Sequence, residues 1–86
     1  MLEDEREDKK MPFEEKEKIT IEDLKSGDFI QFKGRNSTYV VVKQKHRTMI
    51  IPIYLERAMH MPMNEIIEAV FNNKGDMKMH IKEDEI

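Results

Sequence analysis

The side chains in this sequence best suited to hold a metal are its histidines and a run of methionines. His46, His60 and His80 are widely separated along the chain, with no His-x-x-x-His spacing that would set two imidazoles on one helical face as zinc ligands. Met59, Met61 and Met63 flank His60 in "MHMPM", and thioethers beside an imidazole are soft donors suited to cuprous ion. An extended chain would align those three sulfurs. A helix would send Met59 and Met63 into a core stripe instead, and eight methionines in 86 residues suit an irregular core or an adaptable binding surface. The reading is no metal and no cofactor. Nucleophiles are equally sparse: Ser26 and Ser37 lie in Ser-Gly and Asn-Ser turns, outside any Gly-x-Ser-x-Gly elbow, and no Gly-rich loop ending in Lys-Ser or Lys-Thr offers a phosphate cradle. Glu65 and Glu68 sit three apart, an arrangement typical of a solvated helix face. No enzyme is expected.

Charge is more informative than chemistry. The chain holds 18 acidic residues, yet the whole stretch from Phe29 to Leu55 contains no carboxylate, only Lys33, Arg35, Lys43, Lys45 and Arg47 with His46 beside them. Alternate residues of a strand share a face, so Phe29, Gln31, Lys33 and Arg35 form one set and Tyr39, Val41, Lys43 and Lys45 another. Were both sets on one face, cations would follow phosphates while Tyr39 or Phe29 stacked a base, worth about 1–3 kcal/mol. The candidate nucleic-acid site is therefore Lys33, Arg35, Tyr39, Lys43, Lys45 and Arg47. Two plainer readings compete: lysines placed at sheet edges against aggregation, and a basic face meeting the chain's own acidic end. The net charge of −3 lacks the strong positive field of a non-specific nucleic-acid binder.

Eighty-six residues make one domain with a modest core. The absence of cysteine excludes disulfides, thiolate metal sites and thiol catalysis. The opening "MLEDEREDKK" is acidic where a secretory leader is basic, and no apolar run long enough to span a bilayer occurs. The expected location is the cytoplasm, away from membranes.

Positioning these residues falls to a chain of two characters. Residues 1–17 hold eight acids and four bases, too polar to offset ordering entropy by burial, so 1–18 reads as a flexible acidic tail and 19–86 as the folded domain. "TIEDLKSGD" predicts a short turn capped by Thr20 with Asp23 three residues on, stopped at Ser26-Gly27-Asp28. Strands are predicted over Asp28–Lys33, Thr38–Lys45 and Thr48–Ile53. Leu55, Ala58, Met59, Met63, Ile66, Ile67, Val70 and Phe71 recur at threes and fours, which predicts a helix, kinked or begun afresh at Pro62 and ended by Asn72-Asn73-Lys74-Gly75. Met77, Met79 and Ile81 then alternate as a last strand. A hairpin across "NNKG" joining 66–71 to 76–82 is the alternative. The expected fold is α+β: a small curved antiparallel sheet, SH3-like or a partly open barrel of order β-β-β-α-β, covered by one helix.

"LKSGDFIQF", "YVVV" and "RTMIIPI" resemble the start of the MazF and PemK toxin ribonucleases, SH3-like barrels with Gly-Asp before the first strand and an apolar strand ending in Pro-Ile. The resemblance lies between Leu24 and Ile53. Tyr54 stands where that family usually has Thr, and its long first loop is missing, so the resemblance implies a barrel-like sheet and not the ribonuclease activity. "RTMIIPIYLERAMHM", from Arg47 to Met61, resembles the AbrB-type swapped-hairpin DNA-binding domains through Pro52, Leu55 and Arg57. His60 replaces that family's Gly, and Glu56 an Arg that commonly contacts DNA. This resemblance implies a hairpin at 66–82 and a dimeric transcription regulator, with Lys43, Lys45, Arg47 and Arg57 facing phosphates.

Together these readings predict a small non-enzymatic binding module that contacts nucleic acid through a basic sheet face. The alternatives are an AbrB-like dimer and a protein-interaction module, an inhibitor or adaptor, using the acidic tail and a Met-rich helix.

Overall fold

The computed structural model describes residues 13–54 and 57–82. Within them the chain forms seven strands: β1 Glu14–Lys16, β2 Phe29–Phe32, β3 Thr38–Lys43, β4 Thr48–Pro52, β5 Met59–His60, β6 Ile67–Phe71 and β7 Met77–Ile81. They make one sheet of order β1-β7-β6-β2-β3-β4-β5 that does not close into a barrel. Every neighbouring pair is antiparallel except β1 with β7. Glu14–Lys16, inside the stretch assigned to the acidic tail, is thus an edge strand; residues 1–12 lie outside the described residues.

The expected covering helix is absent, and this overturns the α+β reading: the one helical element among the described residues is the 3-10 turn Ile21–Asp23. The period-three spacing within the strand at 67–71 comes from an extra residue. Phe32 faces Ile67 while the adjacent Gln31 faces Ala69, so one step along β2 matches two along β6 and Glu68 bulges from the ladder. The bulge puts Ile67 and Val70, three apart, on the same buried side. Spacing of three normally signals a helix. Here it records a strand with one residue too many.

"NNKG" closes the β6–β7 hairpin. The Asn72 side-chain oxygen accepts the N–H groups of Lys74 and Asp76, and the Asn72 N–H donates to the Asp76 carbonyl. Gly75 takes φ 92°, a left-handed conformation that suits glycine.

The core lies on one side of the sheet. Ile30, Phe32, Tyr39, Val41, Ile50, Ile67, Val70 and Ile81 project there, and Ile19, Leu24 and Met61 cover them from loops on either side of the strands. Phe32 is fully buried with its ring edge-on to Tyr39, centroids 5.3 Å apart; truncating such a ring to Ala costs roughly 3–5 kcal/mol. Around this core one carboxylate clamps the 3-10 turn and another the bend that follows it. The Asp23 carboxylate accepts the Thr20 N–H at 2.8 Å and pairs with Lys16 at 3.1 Å, which holds its pKa below the usual carboxylate value. Buried Asp28 accepts the Lys25 N–H at 2.9 Å and is neutralised by Lys78 at 3.0 Å, the pairing a buried carboxylate requires. Both sheet edges are short strands, Glu14–Lys16 and Met59–His60, which limits strand addition. Among the described residues no helix is long and apolar enough to cross a membrane.

Candidate functional site

The register separates the two residue sets that would have built a basic binding face. Phe29 faces Val40, and Ile30 faces Tyr39. Phe29 and Gln31 therefore lie on the side of the sheet opposite Tyr39 and Val41. Tyr39 is a core residue, 3% exposed, and its ring cannot stack on a base.

The cations divide too. Lys33 and Arg35 lie in the β2–β3 connection, whereas Lys43, Lys45 and Arg47 lie at the β3–β4 end. The length of β3 puts about 20 Å between those ends. Arg35 is engaged in the fold: its guanidinium donates to the Tyr39 hydroxyl at 2.9 Å and to Glu65 at 2.6 Å, and it sits 5.7 Å from the Phe32 ring centroid. Glu65, then Tyr39, hold it charged above its ordinary range. Lys43 donates its ammonium to the carbonyls of Ile21 and Leu24, both at 3.1 Å, and so ties the 3-10 turn to β3. Lys33 has an exposed side chain while its N–H donates to the Ile66 carbonyl. Lys45 is exposed, and exposed Arg47 donates to the Gln44 side chain at 2.7 Å. Of the six candidates, Lys45 and Arg47 at one hairpin tip are the pair left together facing solvent, with His46 between them.

The other chemistry-bearing residues have structural partners. The Ser26 hydroxyl accepts the Lys43 N–H at 2.7 Å, and Ser37 donates to the Tyr54 hydroxyl. Met61 is buried in the core while Met63 is exposed, so the "MHMPM" sulfurs do not share one surface. Among the described residues no three His, Asp or Glu side chains converge as metal ligands. A shallow groove of about 380 Å³ between residues 17–19 and 65–67 offers Glu17, Lys18 and Glu65 without a nucleophile.

What the sequence reading missed is the second face of the sheet. Cross-strand partners share a face, and following them gives one row: Phe71 faces Phe29, Phe29 faces Val40, and Val40 faces Ile51, with Met77 opposite Phe71 across a second register shift, between Val70 and Phe71. Five strands contribute and all five side chains are apolar. Val42 and Met49 extend the row as a pair. All seven are half-buried, and none belongs to the core cluster. The next row runs from Glu15 through His80, Ala69 and Gln31 to Thr38 and is polar apart from Ala69, which is buried. Two unbroken apolar runs, Val40-Val41-Val42 and Met49-Ile50-Ile51, carried the signal, since a strand with one wet face alternates and a strand covered on both does not.

Comparison with known protein families, curated proteins and solved structures gives no match. The hairpin at 66–82 implied by the AbrB resemblance is present as β6 and β7, while Leu55 and Glu56 of its strand-helix junction lie outside the described residues.

Proposed function

We propose that this chain is a non-enzymatic protein-interaction module that docks through the apolar second face of its sheet, working in the reducing cytoplasm that its lack of cysteine suits. One observation carries the reading: the row Met77, Phe71, Phe29, Val40, Ile51, extended by Val42 and Met49, lies outside the core cluster, and each of its residues keeps part of its surface exposed. Contiguous apolar surface of that kind marks interaction sites on small proteins. The Met-rich segment and acidic end are not needed for it.

A photo-crosslinking amino acid at Val42, compared with one at Asn73 in the hairpin turn, tests the proposal in cells. Covalent polypeptide adducts at Val42 and none at Asn73 are expected; equal yields at both positions would refute it.

A second reading keeps nucleic acid as partner, now through the β3–β4 tip alone. Lys45, His46 and Arg47 project together there from the carboxylate-free stretch. Two or three phosphate contacts would give a shallow salt dependence, with a log–log slope of about −2 to −3. Oligonucleotide titration at low and physiological salt measures it, and loss of binding in Lys45→Glu would assign it to the tip.

A further inference from the structure

We infer that the core side of the sheet carries a second binding site, the groove between residues 17–19 and 65–67, and that its occupant is an extended peptide segment with apolar side chains flanked by carboxylates. The inference goes beyond the apolar platform, which lies on the other side of the sheet. Ile19 and Met61 cover the core from two loops, one leading toward β2 and one toward β6. Two hollows of about 380 and 220 Å³ lie between those loops. Both are lined by Lys18, Ile19, Glu65 and Ile67, so they join into one trough, of the size at which binding pockets begin, roughly 300–1,000 Å³. Its floor is core, since Ile19, Met61 and Ile67 are each at most 9% exposed. Its lips stand in solvent: Ile21 is 37%, Ile66 56% and Met63 87% exposed. Of the six large hydrophobic side chains exposed among the described residues, three therefore border this one trough, whereas those of the platform are half-buried.

The occupant's chemistry follows from what the walls leave unmatched. Glu65 is bound to Arg35 at 2.6 Å, and Glu17 lies 3.9 Å from Lys82. Lys18, which borders both hollows, has no acidic partner among the described residues. The unmatched charge of the trough is thus a cation beside an apolar floor. Its backbone is unmatched as well: the N–H and C=O groups of Lys18, Ile19, Met63, Asn64 and Glu65 make no hydrogen bond with other backbone among the described residues. An extended peptide laid between the two walls supplies both donors and acceptors to such groups, as an added strand does at a sheet edge. Its apolar side chains would fill the floor, and a carboxylate would accept from the Lys18 ammonium. A single-headed amphiphile would leave both walls unmatched, and a basic peptide would set cations beside Lys18.

Amide chemical shifts of the isotope-labelled full chain, titrated with acetyl-Asp-Leu-Glu-Ile-Asp-amide up to about 2 mM, test the proposal. Saturable shifts are expected at Lys18, Ile19, Met63 and Glu65, with Phe29 and Phe71 unmoved. A peptide carrying Lys for each acid, and one carrying Ser for Leu and Ile, should each bind about tenfold more weakly or worse. Lys18→Glu and Ile66→Ser should weaken the acidic peptide to a similar degree. Both side chains are exposed, so dispersed amide spectra should show each variant folded, and the three peptides test the parent chain without any substitution. No shift at about 2 mM, equal binding of the basic peptide, or undiminished binding to the folded variants would overturn the site. Shifts confined to Phe29 and Phe71 would overturn it too, by placing the peptide on the platform instead.

Discussion

Phe29 faces Val40 across the β2–β3 ladder, on the side of the sheet away from the core, while its neighbour Ile30 faces Tyr39 within it. That one-residue offset decides which surface the protein has to offer. It turns a supposed aromatic-and-cation face into a core on one side and an apolar platform on the other, and leaves the basic residues at the two ends of β3.

Tyr39 is accordingly a stability residue. Tyr39→Phe removes the hydroxyl that accepts from Arg35 and should cost about 1 kcal/mol, whereas Tyr39→Ala should cost about 3–5 kcal/mol. Urea unfolding followed by circular dichroism measures both. A Tyr39→Ala variant as stable as the parent would show that the ring lies outside the core.

The bulge makes an unusual prediction for Glu68. Deleting it restores strict alternation to β6, with Ile67 and Val70 inward and Ala69 and Phe71 outward, so the deletion should cost only about 1 kcal/mol. Removing one residue from a helix would instead rotate the following apolar residues by about 100°. Urea midpoints of the deletion variant separate the two: a drop of several kcal/mol contradicts the strand.

These two cases show what was legible in the sequence. The short turn at Thr20 and the runs that became β2, β3 and β4 carried local signals in caps, glycines and β-branched residues. Register carries no such signal, because it depends on turn geometry and on which face is buried; with it went the assignment of Tyr39 and the common basic face. The period-three spacing of Ile67 and Val70 pointed to a helix because a bulge imitates that spacing. The apolar platform was readable in Val40-Val41-Val42 and Met49-Ile50-Ile51, once unbroken runs are taken as strands with two apolar faces.

Gly75 is held by its backbone alone. At φ 92° a Cβ would meet nothing within 4 Å, so Gly75→Ala should lower stability by about 1 kcal/mol, with Gly75→Asn losing less. Thermal unfolding of the two variants checks the order. Equal stability of all three proteins would contradict the β6–β7 turn.

Asp23 sets an acid limit. Its folded pKa is depressed below 3.8 by the Thr20 N–H, with further help from Lys16. A depressed carboxylate contributes stability that is present above its unfolded pKa and lost as pH falls through the folded value. Asp23→Asn should therefore lower stability at neutral pH and flatten the decline below about pH 4. Urea midpoints between neutral pH and about pH 2 report this, and an unchanged acid slope would remove Asp23 from the account.

The docking reading depends on the β2–β3 register, and nuclear Overhauser contacts in the isotope-labelled full chain test it most directly. The Phe29 ring should show contacts to Val40 and Phe71, and the Tyr39 ring to Ile30 and Phe32. A contact between the Phe29 and Tyr39 rings would place them on one face and contradict the apolar platform.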